Sequence, residues 1–316
     1  IILDQENNPT LFDGDAFKIT TYRFYSPSGS TNDTIGVLPT LLLSQTSTPT
    51  AALLLTAPKP ARAEGCLKLE LAGQIFYLDL AQATEADNQA AFTELLEALP
   101  PSAKLYKGSG TQIWTEIAPA QLAQAEKLPF TSRGFSDTQH SPYAREIDTL
   151  AAYQLLGGYE DGTFRPETPV TRGEFCAMVT GALDLPSRLS SQYSDVPQGA
   201  WYASAISTMT QFGFFSGNGN GTFRPEDTIS YEEMTTVLAC VAAWCNMTGY
   251  ELSHTPLTME QWLEYQDYSD WAQCAARDLN QLGVQLENAA PSDCVTREMA
   301  AGMLCRMMEA VGLIWD

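Results

Sequence analysis

The feature that most constrains this chain is an internal repeat. "GGYEDGTFRPETPVTRGEF" at 157–175 returns as "SGNGNGTFRPEDTISYEEM" at 216–234. A repeated unit has to be identified before any fold is assigned, because it decides the architecture. Upstream, "FSDTQHSPYA" (135–144) aligns with "YSDVPQGAWYA" (193–203) and, more loosely, with "YQDYSDWA" (265–272), so the aromatic starts are 58 and 72 residues apart. Each start is followed by an amphipathic stretch, at 145–156, 204–215 and 273–284. A Gly-rich loop comes next, absent in its "GTFRP" form from the third copy, and then a second helix opening at "VTRGEF" (170–175), "ISYEEM" (229–234) or "VTREMA" (295–300). Three helix–loop–helix units follow. None is large enough to bury both its helices alone, so the three are expected to share one core.

Residues 1–132 read differently, as a small α+β domain without a chemical motif. "FKITTYRFYS" (17–26) is a strand candidate, and "TLLLSQTSTPTAALLLTA" (40–57) reads as two short strands around a turn. In "LKLELAGQIFYLDL" (67–80), Leu67, Leu69 and Leu71 alternate with polar residues, a Gly-containing turn intervenes, and Phe76, Leu78 and Leu80 alternate again, which predicts a hairpin. The segment 87–101 predicts a helix capped by Asp87 and stopped by two prolines. Residues 111–117 suggest a further strand and 118–130 a short helix. The expected organisation is therefore 1–132 α+β, then all-α units at 133–190, 191–250 and 251–316.

Charge narrows the partners. The net charge is −21, and 24 of the 38 acidic residues but only 8 of the 17 basic ones lie from Phe135 onward; all eight are Arg. Nucleic acid and anionic membrane surfaces require a basic footprint, so neither is expected as a partner. An anion bound in this half would need a few well-placed guanidinium groups. Seven cysteines in mostly apolar, helix-like surroundings suggest buried thiols rather than a disulfide framework. With only His140 and His254 as imidazole donors, neither a metal site nor a cofactor is expected. No apolar run reaches the roughly 18 residues of a membrane span. The start at Ile1 suggests a processed or trimmed chain whose export signal, if any, has been removed.

The candidate site residues cluster at the second-helix starts. Thr171-x-x-Glu174 and Ser230-x-x-Glu233 have the form of capping boxes. This puts Arg172 at the first helical position, beside unpaired backbone N–H groups, where a guanidinium makes a compact site for a carboxylate or phosphate. Arg297 holds the same position in the third unit and Tyr231 replaces it in the second. One such arginine alone is ordinarily a solvated surface residue; its recurrence points to function. Arg165 and Arg224 are expected to pin the turn to neighbouring acids such as Glu167 or Glu226, and Asp161 with Gly162, or 218–221, to serve the turn rather than bind calcium. Trp201 and Trp271, with Tyr143 in the matching slot, open the first helices, where an aromatic either packs or stacks on a sugar. No Ser/His/Asp arrangement is present.

Together these residues resemble the S-layer homology (SLH) family, through Phe135, Asp137, Gly158, Tyr159, Asp161, Gly162, Phe164, Pro166, Thr171, Arg172 and Glu174 in the first unit. The second unit retains Asp195, Trp201, Gly217, Gly221, Phe223 and Pro225, and the third Asp267, Trp271 and Arg297. The resemblance implies a pseudo-threefold domain around a central helix bundle. It also implies an extracellular location and non-covalent anchoring, through grooves between motifs, to anionic secondary cell-wall polysaccharide, often through pyruvylated sugars. The glycan-binding residues it suggests are Arg172, Arg297, Asp137, Asp195, Trp201, Trp271, Gly158, Gly217 and Tyr231, with Tyr231 marking a groove that has lost carboxylate binding or turned to stacking. The N-terminal domain would be displayed outward, toward a surface-protein partner. A structural or adhesive S-layer-like protein, with the repeats as scaffold, is the alternative; an enzyme with its site in 1–130 is the third hypothesis.

Overall fold

The computed structural model describes residues 2–3, 9–10, 40–185, 192–245 and 256–314. β1 (Ile2–Leu3) and β2 (Pro9–Thr10) form a short antiparallel pair. The strand expected at 17–26 lies outside the described residues. Next come α1 (Thr48–Leu54), β3 (Cys66–Leu71), β4 (Gln74–Asp79), α2 (Leu80–Ala83), α3 (Gln89–Glu97), β5 (Lys104–Ser109), β6 (Ile113–Glu116) and α4 (Pro119–Ala125). The four longer strands make an antiparallel sheet in the order β4-β3-β5-β6. Its register pairs Leu67 with Leu78 and Leu69 with Leu105. Because side chains alternate across a strand, these leucines share one face, which meets Phe92 and Leu96 of α3 and Leu122 of α4 in a closed core. On the opposite face Lys68 lies 3.9 Å from the centre of the Tyr106 ring.

Two expectations for this part are corrected. The 40–57 segment contains the helix α1, not two strands: Pro49 sits in the first turn, where its missing N–H costs nothing, and Ala and Leu, which have no branch at Cβ, continue it. Asp87 does not cap α3, whose N-cap is Asn88 without a side-chain bond. The capping aspartate is Asp79, which accepts from the N–H groups of Ala81 and Gln82 and ends β4 by starting α2.

The remainder is helical: α5 (Ala144–Ala152), α6 (Arg172–Ala182), α7 (Ala203–Gln211), α8 (Tyr231–Cys245), α9 (Met259–Glu264), α10 (Gln273–Gln281) and α11 (Arg297–Ala310). The expected helix pairs are α5/α6, α7/α8 and α10/α11, and α9 is an addition. The first helix of each pair packs on the second helix of a different unit: α5 on α11, α7 on α6, α10 on α8. Ile147, Phe175, Ile206, Leu238, Leu279 and Leu304 are fully buried in one shared core. Each such side chain contributes roughly 1.5–3 kcal/mol by leaving water.

At the middle of this arrangement the residues just before the second helices close a cycle. Val170 N–H donates to Val295 O at 2.8 Å, Val295 N–H to Ile229 O at 3.1 Å, and Ile229 N–H to Val170 O at 3.0 Å. All three side chains are fully buried. Buried backbone donors require partners, and each unit here supplies the next.

Candidate functional site

The "TFRP" turn is held by an aspartate from the start of its own unit. Asp137 accepts from the N–H groups of Phe164 (2.7 Å) and Arg165 (2.8 Å), and Asp195 from those of Phe223 (2.9 Å) and Arg224 (2.7 Å). Arg165 and Arg224 take left-handed backbone conformations, with φ of 57° and 58°. Burial raises the Asp195 carboxyl, but the amides it receives outweigh this and hold it below the usual carboxylate range. Gly158 and Gly217 sit where a Cβ would lie 2.3 Å from a Phe135 ring carbon and 2.3 Å from Thr222 O, respectively, so only glycine fits. Phe135 stacks on Phe164 and Tyr193 tilts against Phe223.

Arg165 pairs with Asp161 and Arg224 with Asp227, not with Glu167 or Glu226. Asp161, hydrogen-bonded by Thr163 and Arg165, is lowered to about 2. Among the described residues no group of carboxylates, thiols or imidazoles is arranged to hold a metal.

The helix starts differ from expectation in a physically informative way. Their backbone N–H groups are not open to an anion. Arg172 and Gly173 donate to Asp227 O and Pro225 O, Tyr231 and Glu232 to Asp293 O and Pro291 O, and Arg297 and Glu298 to Thr168 O and Pro166 O. Each helix N-terminus therefore docks on the segment that follows the turn of another unit, and the helix dipole is spent on assembly. Sequence reasoning passed over a signal here: Pro166, Pro225 and Pro291 each stand five residues before the helix cap, so the third unit keeps this docking segment although its "GTFRP" is gone. Both capping boxes form, with Glu174 returning to Thr171 N–H and Glu233 to Ser230 N–H.

The two arginines are held alike and used differently. Arg172 donates from Nε to Phe223 O (2.9 Å) and from Nη2 to Ser216 O (3.3 Å). Arg297 donates from Nε to Phe164 O (2.8 Å) and from Nη2 to Gly157 O (3.1 Å), the matching atoms of the first unit. Both guanidinium groups lie against aromatic rings, Phe215 and Phe223 in one case, Tyr159 and Phe164 in the other. The third edge separates them. Arg172 Nη1 bonds to Glu233, and its side chain is 2% exposed. Among the described residues no carboxylate comes within 4.0 Å of the half-buried Arg297, and no bond occupies its Nη1. Burial lowers the Arg297 pKa and Tyr159 and Glu174 oppose that shift, while an arginine stays charged at neutral pH.

Arg297 opens into a groove of about 740 Å³ lined by Arg133, Phe135, Gly157, Gly158, Tyr159, Glu174, Met178, Gly181 and Trp201. All three units contribute to it. Trp201 is 68% exposed, so its face is offered to solvent rather than to the core. The groove thus combines a guanidinium donor, an exposed indole and a carboxylate acceptor, Glu174, a set suited to an anionic sugar.

The other expected residues are placed as follows. Trp271 is 55% exposed and precedes α10 as Trp201 precedes α7. Asp137, Asp195, Gly158 and Gly217 shape the turns. Tyr231 is fully buried and its hydroxyl accepts from Leu286 N–H at 2.9 Å, so it has no face left for stacking. Tyr143 does not occupy the slot of Trp201 and Trp271: it is the N-cap residue of α5, as Tyr202 is of α7 and Ala272 of α10, so the residue matching the two tryptophans is Pro142. Tyr143 instead packs over Gly302, where an added Cβ would meet its ring at 2.7 Å, and Arg306 lies 5.6 Å from the ring centre.

The S-layer homology domain is matched over residues 134–176 and 192–235. Among curated proteins the chain is similar to Exoglucanase XynX of Acetivibrio thermocellus, 28% identical over 76% of this chain and 22% of that protein. It is also similar to the Cellulosome-anchoring protein of A. thermocellus, at 27% identity over 54% of this chain and 39% of that protein. A third is the Surface-layer 125 kDa protein of Lysinibacillus sphaericus, at 27% identity over 42% of this chain and 12% of that protein. The chain spans well under two thirds of the length of these relatives. The two S-layer homology segments, and relatives that include surface-layer and cell-surface proteins, indicate a location at the cell surface. No helix among the described residues is long and apolar enough to cross a membrane.

Proposed function

We propose that residues from about 133 onward form a pseudo-threefold domain of three SLH motifs that holds the chain non-covalently to anionic secondary cell-wall polysaccharide. The working groove is the one at Arg297 and Trp201. One observation carries this reading: Arg297 is fixed by two carbonyls and two rings yet keeps Nη1 unengaged, beside an exposed tryptophan in a groove. A ketal-linked pyruvate would place its carboxylate on that edge while its sugar ring lies against Trp201. The role is binding, not catalysis, and the 1–132 domain is displayed outward toward a surface partner.

Co-sedimentation of the purified chain with cell-wall sacculi, before and after chemical removal of the polysaccharide, tests the proposal. Binding is expected to intact walls, to vanish on stripping, to be lost in Arg297→Ala and to weaken about tenfold in Trp201→Ala. Equal binding to stripped walls, or full binding by both variants, would overturn it.

A further inference from the structure

Arg172 carries its own anion. Arg172 repeats the anchoring of Arg297 atom for atom, Nε to a turn phenylalanine carbonyl and Nη2 to the carbonyl one residue before the glycine of the turn. The edge that is open at Arg297 is filled at Arg172 by Oε1 of Glu233. Glu233 and Glu174 are equivalent N3 residues, and each sends Oε2 back to its own cap amide. They differ in what the other oxygen does. Glu233 spans from its own helix to the arginine of the preceding unit, and Glu174 forms no ion pair with Arg297.

We infer that Glu233 is an internal stand-in for the ligand carboxylate, which keeps Arg172 closed to ligand although Trp271, the counterpart of Trp201, is exposed. This rests on the reading of Arg297 as a carboxylate site. It specifies that the chain binds one carboxylate-bearing sugar, not two. A ligand reaching Arg172 has to displace a carboxylate that is already tethered by a capping bond. That competitor acts intramolecularly, at an effective concentration in the millimolar range or above. Removing its charge opens the site, because Arg172 remains held by Phe223 O and Ser216 O.

The probe is a methyl hexoside carrying a 4,6-linked pyruvate ketal, with its uncharged methyl ester as control, titrated calorimetrically into the full chain. The parent is expected to take one equivalent and Arg297→Ala none. Glu233→Gln retains a capping acceptor and is expected to take two, and Glu233→Gln with Arg297→Ala one; the ester binds none of them. Two equivalents in the parent, one remaining in Arg297→Ala alone, or one in a folded Glu233→Gln would each overturn the inference. The first and third of these leave the proposed function standing. Because the first two outcomes need no change at Glu233, the inference stays refutable should Glu233→Gln fail to fold. No heat from the parent or from Glu233→Gln would sink the carboxylate reading itself.

Discussion

Replacing Arg172 by alanine should damage the fold far more than the same change at Arg297, although both occupy the first position of a repeat helix. Arg172→Ala removes one partner of an ion pair whose arginine is 2% and glutamate 23% exposed. Breaking such a pair costs about 3–5 kcal/mol, because the remaining carboxylate is left without its counter-charge. It also strips the donors from Phe223 O and Ser216 O. Arg297→Ala removes two charged hydrogen bonds but no ion pair, and water in the groove reaches the freed carbonyls, so about 1–2 kcal/mol is expected. In urea, with a slope of roughly 2 kcal/mol per molar, the midpoint of Arg172→Ala should fall by about 1.5–2.5 M and that of Arg297→Ala by about 0.5–1 M. Tryptophan fluorescence follows the transition, since Trp201, Trp244 and Trp271 lie in the helical part. Arg172→Met with Glu233→Gln, which removes both charges and keeps a capping group, should recover most of the loss. Equal midpoints for the two alanine variants, or no recovery in the pair, would refute the assignment of Arg172 to the structure.

Gly158→Ala should lower stability by about 1–3 kcal/mol in thermal unfolding, since the new carbon would overlap Phe135 and Thr163 O, whereas Gly157→Ala, which meets nothing within 4 Å, should stay within about 0.5 kcal/mol. Trp201→Ala should leave the urea midpoint within about 0.5 kcal/mol of the parent, as a residue 68% exposed packs little, yet weaken pyruvylated-hexoside binding about tenfold, near 1.4 kcal/mol of lost stacking. Asp195 is depressed in the folded state, so its contribution is present above the ordinary carboxylate pKa of about 3.9 and disappears as pH falls through the lower folded value. Stability of the helical part should therefore decline below about pH 4, and Asp195→Asn should be less stable at pH 7 with a shallower acid decline. An unchanged acid slope would exclude Asp195 as the source.

The helices of the repeat were legible in advance because their signals are local. Thr171-x-x-Glu174 and Ser230-x-x-Glu233 cap where the pattern requires, and α5, α7 and α10 follow from apolar spacing. The hairpin at 67–79 was legible for the same reason. What went unread depends on partners distant in the chain. β5 (Lys104–Ser109) is a short run without strong alternation and becomes a strand by pairing with β3 and β6. In 40–57, leucine clusters serve strand or helix equally, and only packing of α1 on α3 decides between them.

The repeat itself determined that three helix pairs would share a core and that Arg172 and Arg297 would stand at helix starts, whereas the turn-holding roles of Asp137, Asp195, Gly158 and Gly217 came from the structure. It could not determine which arginine is available. Glu174 and Glu233 share a position and a capping bond, and the two arginines share their carbonyl anchors. The tertiary structure alone decides that Glu233 reaches the guanidinium of a neighbouring unit and Glu174 does not. An ion pair between units depends on a separation of a few ångströms across an interface, and repeated local sequence carries no record of that distance.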